Sequence, residues 1–270
     1  MKTCATLGQA AGTAAAYCAL SDVKPSTLAN DAKAVWSIQQ QLLRDDQYII
    51  GVYNEDPRDV ARKAEVTASS EWIEGKYNGS AAQILSGQTR AVFGKGGVHD
   101  SQQIDGINRW VSKKVPAWIA LDWSESIKDI SLVELVFDTG MHRTLMLSQI
   151  ARNLQKMVWG RPQPETVKNY DIQVRLDGSD TWQNVATIEG NYLRKRVHNV
   201  ADAVRKVDKA GKGVAPLRVY VRATNGVEQA RICEVRVYGN DGLEKFPQPP
   251  EGLNINAERL VLLSGHARAL

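Results

Sequence analysis

Short runs in which apolar and polar residues alternate fill the second half of the chain, and this pattern constrains the fold most strongly. In LRVYVRA (217–223), Leu217, Val219 and Val221 fall on one side of an extended strand, and Arg218 and Tyr220 fall on the other. Turn sequences such as DGSD and NG separate the runs, and no regular succession of helices lies between them. The pattern therefore favours an antiparallel β-sandwich over a parallel α/β sheet.

We predict strands in seven segments: AEVTAS (64–69), WIALDW (118–123), ISLVELVFD (130–138), YDIQVRL (170–176), QNVATIE (183–189), LRVYVRA (217–223) and ICEVRVYG (232–239). The first part of the chain is different, because its apolar residues recur at helical spacing. Asn30 and Asp31 can cap a helix that ends at Arg44-Asp45-Asp46. We divide the chain into a helical segment (1–50), a linker (51–62), a β-sandwich (63–240) and a tail (241–270).

The composition excludes several classes of protein. The net charge is only +4 over 270 residues, and the basic run LRKRVH (193–198) has no nucleic-acid module around it, so we interpret it as a solvated loop. No apolar run is long enough for a transmembrane helix. The three cysteines form neither a disulfide framework nor a metal motif, and Cys233 is expected to be buried in a strand. The four histidines are isolated, so we expect them at the surface and predict no catalytic residues; they are His99, His142, His198 and His266.

The strand half resembles the discoidin-like, coagulation-factor type-C domains. The similar segments occur in the order of that family: AEVTASS, then NRWVS (108–112), PAWIALD (116–122), YDIQV with DGS and Trp182, and the last two strands. The resemblance covers about 59–239 and implies a mainly β, galactose-binding-like jelly-roll sandwich preceded by a short α-helical segment. It also implies carbohydrate as the partner.

Two loops of the predicted sandwich, 87–108 and 140–168, contain the candidate ligand-binding residues, together with Arg109 and Trp110, into which the first loop runs. Loops at the ends of a sandwich are free for recognition, and aromatic and arginine side chains suit the faces and hydroxyls of a sugar. The candidates are Arg90, His99, Arg109, Trp110, His142, Trp159 and Arg161. For Trp110 and Trp159 packing is an open alternative, and Trp118 and Trp182 are expected in the core.

The resemblance also implies a calcium site. Ser86 stands where the family has an aspartate, and Glu234 matches its last-strand glutamate. Calcium requires about six to eight oxygen ligands. Because one carboxylate is missing, we expect no tightly held ion.

The N-terminal segment CATLGQAAGTAAA, followed by a helix and DPRDVAR, resembles the end of the FAD domain in bacterial FAD-dependent oxidoreductases, some of which carry a discoidin-like domain next. That resemblance implies that Thr6, Leu7, Gly8 and Gln9 approach the flavin at a helix N-terminus. The chain has no strand followed by a G-x-G-x-x-G turn. We therefore expect that Met1 is internal, that this chain binds no cofactor by itself, and that FAD belongs to a longer or associated chain.

Three functions follow from these expectations. The first is a non-catalytic carbohydrate-binding module from a truncated FAD-dependent oxidoreductase. The second is an oxidoreductase subunit whose Rossmann half lies upstream of Met1 or on another chain. The third is a structural, adhesion or inter-domain packing module. The segment before Ser21 does not fit a signal peptide, because its apolar run is interrupted at Gly8, Gln9 and Gly12, so the sequence leaves the compartment open, including export of a bacterial parent.

Overall fold

The computed structural model describes residues 2–49, 51–74, 77–90, 108–140 and 160–251. The chain divides into two compact units. The first comprises 1–58 and 244–270, and the second comprises 59–243.

The described part of the first unit is helical. Its helices are α1 (Lys2–Ser21), α2 (Pro25–Leu28) and α3 (Ala32–Arg44). Asp31 caps α3, because its carboxylate accepts hydrogen bonds from the backbone amides of Lys33 and Ala34 at 3.0 and 3.1 Å. The side chain of Gln40 bonds the backbone of Tyr53 and Glu55, which fixes the following segment against α3. The predicted cap and end of this helix are confirmed.

The second unit contains two antiparallel sheets and a small hairpin. The five-stranded sheet has the order β1 (Glu65–Ala68), β5 (Ala117–Ile127), β10 (Val214–Thr224), β7 (Val167–Leu176) and β8 (Gln183–Ile188). The four-stranded sheet has the order β4 (Trp110–Val111), β11 (Arg231–Tyr238), β6 (Leu132–Phe137) and β9 (Lys195–Asn199). The hairpin pairs β2 (Trp72–Glu74) with β3 (Tyr77–Gly79). A short helix, α4 (Ala201–Val207), follows β9.

The chain passes repeatedly from one sheet to the other, as in a jelly roll, and the inward side chains of both sheets form one core. Ile119, Leu217 and Ile172 enter this core from the five-stranded sheet, and Leu135 and Val235 enter it from the four-stranded sheet. The predicted mainly β sandwich, preceded by helix, is therefore confirmed, as is the burial of Cys233 in a strand.

Several sequence interpretations were wrong. The run 193–198 lies largely in β9 and is not a solvated loop: Lys195 pairs with the buried Glu134 at 3.2 Å. His198 is buried and not at the surface, because it faces inward beside Tyr170 in the core. Trp118 and Trp182 are half-buried on the outside of the five-stranded sheet and are not core residues.

The described helices include none with the length and apolar character needed to cross a membrane.

Candidate functional site

One end of the sandwich holds the described residues that flank the two loops predicted for the second unit, and we call it the loop end. It comprises residues 88–90, 108–109, 137–140, 160–166 and 191–194. Arg109 and Asp138 meet here across the two loops, with Nε 3.4 Å from Oδ2, and Arg231 Nη1 lies 3.6 Å from the same oxygen. Asp138 is only 2% exposed, and its other oxygen accepts a hydrogen bond from the amide of Gly140 at 2.9 Å.

Burial lowers the pKa of Arg231, while the nearby carboxylate of Asp138 opposes that change. The carboxylate of Asp138 thus balances the positive charge of two buried guanidinium groups, and it also stabilises the turn at Gly140. The root of the second loop is held against the root of the first by this charge network.

Arg194 ties the same two roots through backbone atoms. Its guanidinium donates to the carbonyl of Phe137 at 2.9 Å and also to the carbonyl of Thr89. The side chain of Asn108 donates to the carbonyl of Arg90 at 2.8 Å and so closes the base of the first loop. Both loops therefore leave the sandwich from a rigid base.

The predicted ligand residues lie in different environments. Trp110 is completely buried, and its indole N–H donates to the carbonyl of Ser70 at 2.9 Å, so the ring has no face open to a ligand here. Arg109 is buried in the charge network, Arg90 is half-buried and Arg161 is exposed. His99, His142 and Trp159 lie outside the described residues. Sugar binding by this set stays a prediction.

The predicted calcium ligands have other partners in the fold. The hydroxyl of Ser86 bonds the backbone of Gln88 at 3.2 and 3.3 Å and stabilises a tight turn. Glu234 is buried, and its Oε1 lies 3.3 Å from Nε of the buried Arg236. Burial raises the pKa of Glu234 to about 7, although Arg236 opposes the shift. A carboxylate that already neutralises a buried guanidinium fits a calcium ion poorly.

The predicted flavin-contacting residues, Thr6 to Gln9, are exposed on α1. A β-carbon added to Gly8 or Gly12 would meet no described atom within 4 Å, so these glycines make no close approach to the described part of the chain. The described part of this unit contains helices and no strand that could carry a phosphate-binding turn. These residues do not by themselves fit FAD.

Chemistry-bearing clusters are few in the described ranges. No group of three or more His, Cys, Asp or Glu residues there is arranged to hold a metal ion. His198, the histidine that the structure describes, shares its hydrogen bond with the buried hydroxyl of Tyr170 and does not face solvent.

The sequence interpretation missed a solvent-facing surface on the five-stranded sheet. Trp118 and Tyr220 are register partners on β5 and β10, and Arg218 lies two positions before Tyr220 on the same face. The sequence contained a signal for this outward position. Side chains alternate along a strand, so Trp118 lies on the same face as the exposed Asp122, while Ile119 and Leu121 lie on the opposite, inward face.

No family model matches this chain, and no curated protein sequence matches it. Solved structures with similar folds were found. CpGH89CBM32-5 of Clostridium perfringens, in complex with GalNAc-β-1,3-galactose, is 12% identical over 66% of this chain and 97% of its own, with a TM-score of 0.42. The family 32 carbohydrate-binding module of Streptococcus pneumoniae EndoD is 13% identical over 67% and 99%, with a TM-score of 0.43. Chitosan-binding module 1 of a Paenibacillus sp. IK-5 chitosanase/glucanase is 18% identical over 67% and 98%, with a TM-score of 0.42.

Proposed function

We propose that this chain is a non-catalytic carbohydrate-binding β-sandwich module whose ligand binds at the loop end. The observation that carries the proposal is the network of Arg109, Asp138, Arg231 and Arg194, which holds the roots of two long loops side by side. Loops on a rigid scaffold are the usual location of binding residues in sandwich folds. A rigid base also lowers the entropy lost when loops order around a ligand.

The residue types near these roots favour a polar ligand. Arg161 is exposed beside the second loop, and Arg90 lies at the root of the first. Planar guanidinium groups match pairs of oxygen acceptors, and an aromatic ring such as the Trp159 predicted for this site offers a face for the C–H side of a sugar. The solved structures with similar folds are carbohydrate-binding and chitosan-binding modules, and the proposal itself depends on this chain's own residues.

A glycan array with the whole chain tests this function. We expect binding to one class of sugar, and we expect Arg161→Ala and Trp159→Ala to weaken that binding about tenfold or more. Arg205→Ala is the matched control, because this arginine is exposed on α4 and pairs only with the exposed Asp202 among the contacts of the described residues. A blank array, or binding that survives both loop changes in folded protein, contradicts the proposal.

A second candidate follows from helix α1. Leu7 and Leu20 are 62% and 70% exposed, and open space surrounds the β-carbon positions of Gly8 and Gly12. A helix with exposed leucines and small residues favours packing against another domain or chain. This agrees with the second and third functions, an FAD-dependent oxidoreductase subunit or an inter-domain packing module.

The two candidates differ in flavin content. We expect this chain alone to purify colourless, because it lacks the Gly-rich phosphate-binding turn. Flavin absorbance that stays with the single chain through gel filtration would contradict this. Co-purification with a flavin-bearing partner would support the subunit function.

A further inference from the structure

A second surface on the sandwich unit lies away from the loop roots, on the outer face of the five-stranded sheet. Strand alternation places Arg218 of β10 and Gln173 of β7 on this face as direct register partners. Arg175 lies two positions after Gln173 on the same face, and Trp182 precedes β8 at the neighbouring edge. We call Arg175, Trp182 and Arg218 the Arg–Trp ladder.

The ladder is held in place by stacking and hydrogen bonds. The guanidinium carbon of Arg218 lies 4.1 Å from the centre of the Trp182 ring, and that of Arg175 lies 5.4 Å from it. Arg218 Nε donates to Oε1 of Gln173 at 2.6 Å, and the amide of Gln173 in turn donates to Asn184. The ladder is therefore preorganised, which reduces the entropy that binding must overcome.

The positive charges of the ladder lack acidic partners. In the parts of the chain that the structure describes, no carboxylate forms an ion pair with Arg175 or Arg218, and the hydrogen bond of Arg218 uses only Nε. Arg222, four positions after Arg218 on β10, provides a contrast: it pairs with Asp171 at 3.1 Å and also with Glu189. The guanidinium carbons of Arg218 and Arg175 lie 4.1 and 5.4 Å from the centre of the same Trp182 ring, so their positive charges repel each other. Burial lowers the pKa of Arg218; Tyr220 opposes this shift and the charge of Arg175 adds to it.

An anion between or beside these groups would relieve that repulsion. The forked N–H donors of arginine match a carboxylate in two-point geometry. Trp182 and, one row away, Tyr220 are both partly exposed on this surface, and Arg218 lies 5.6 Å from the Tyr220 ring centre. The surface thus combines charge recognition with flat apolar area.

We propose that the Arg–Trp ladder binds a sugar that carries a carboxylate, as in an acidic polysaccharide. Within the described ladder, Arg175 and Arg218 carry the positive charges that lack an ion pair, and the exposed Asp122 lies on the same face. A nucleic acid needs a longer run of basic side chains, because each neutralised phosphate contributes to its affinity. An isolated acidic group on an otherwise neutral ligand fits this face better. The choice of a sugar over another small carboxylate depends on the proposed function.

Oligogalacturonate and its methyl ester test the proposal, because the ester keeps the sugar and removes the charge. Titration of the whole chain should give saturable binding of the acid and at least tenfold weaker binding of the ester. Arg218→Gln, Arg175→Gln and Trp182→Ala should each weaken binding of the acid about tenfold in protein that melts as the parent does. Arg205→Gln removes an equal charge elsewhere on the unit and should change nothing.

The results separate this proposal from the loop-end function. Arg161→Ala should leave the binding of oligogalacturonate unchanged, whatever it does to sugars found on the array. Three results would overturn the ladder site. The acid and the ester could bind equally, Arg205→Gln could weaken binding of the acid as much as the ladder variants do, or single-stranded DNA at equal concentration could displace the acid. A chain that binds array sugars but not oligogalacturonate refutes the ladder alone, while the reverse result refutes the loop end alone. If Trp182→Ala does not fold, the two arginine variants decide.

Discussion

His198 and Tyr170 form a polar pair inside an otherwise apolar core. The Tyr170 hydroxyl lies 2.9 Å from Nε2 of His198, and the two rings meet edge to face at 5.7 Å. Burial lowers the pKa of His198 to about 4, and the positive charge of Arg196 adds to this shift. Burial also raises the pKa of Tyr170, so both groups are neutral in the folded protein at pH 7.

This pair predicts a pH dependence of stability. The unfolded chain takes up a proton on His198 near pH 6.5, whereas the folded chain does so only near pH 4. The contribution of the neutral histidine is therefore complete above pH 6.5 and is lost as pH falls from 6.5 to 4, by up to about 3 kcal/mol. His198→Gln should lose less unfolding free energy over this range in urea titrations. Parallel losses in the two proteins would contradict the assignment.

Because Ser86 and Glu234 have other partners, we predict that calcium does not change the stability of the protein. Glu234 already pairs with Arg236, and Ser86 is used in a turn with Gln88. An ion present at about 100 times its dissociation constant would add roughly 2.7 kcal/mol to stability. We therefore expect a chelator to change the melting temperature by less than about 1 °C. A drop of several degrees that calcium restores, and that is absent in Glu234→Gln, would show a calcium site.

The tryptophans show where residue-level prediction succeeds and fails. Alternation places Ile119 and Leu121 on the inward side of β5 and Asp122 on the outward side, but the sequence interpretation assigned Trp118 to the core because its side chain is large and apolar. Trp118 follows the parity of Asp122 and faces outward, while Trp123 follows the inward parity and is 5% exposed. The position of a residue in the alternating pattern was thus a better guide to burial than its type, because neighbouring side chains of a strand point to opposite faces of the sheet.

At the scale of elements, the loop end depends on Asp138. Removing its charge would leave Arg109 and Arg231 buried without their shared carboxylate. Breaking a buried ion pair in this way costs about 3 kcal/mol or more. Asp138→Asn should therefore lower the unfolding free energy by about that amount and weaken sugar binding by loosening both loop roots.

The matched control is Asp202→Asn on α4. Asp202 and its partner Arg205 have side chains that are 84% and 67% exposed, so this ion pair is screened by water. We expect its loss to change stability by less than about 1 kcal/mol. Equal destabilisation by the two substitutions would contradict the claim that Asp138 stabilises the loop end through its buried ion pairs.

Strands with a clear pattern of apolar residues were predictable from the sequence, and strands that are very short or rich in charged residues were not. Seven predicted strands correspond to β1, β5, β6, β7, β8, β10 and β11. β9 was missed because its charged side chains form ion pairs and hydrogen bonds that depend on tertiary contacts, as with Lys195 and Glu134. The hairpin of β2 and β3 was missed because its strands are three residues each, too short for a periodic signal.

At the scale of the whole molecule, one sandwich unit carries the two separate surfaces that we propose as binding sites. The loop end gathers polar side chains by joining loops that are distant in sequence, as Arg109 and Asp138 show. The Arg–Trp ladder arises within one sheet through the register of β10 and β7. Sequence reasoning predicted the first surface from loop length and missed the second, because its charge pattern appears only when strands pair.

The central claim is that the chain binds a sugar and does not alter it. We would titrate the whole chain with the sugar that binds best on the array, using calorimetry, and then examine the recovered sugar by mass spectrometry. The account predicts saturable heat that is lost in Arg161→Ala and a sugar of unchanged mass. Absence of binding heat across the array sugars, or a sugar whose mass has changed, would contradict it.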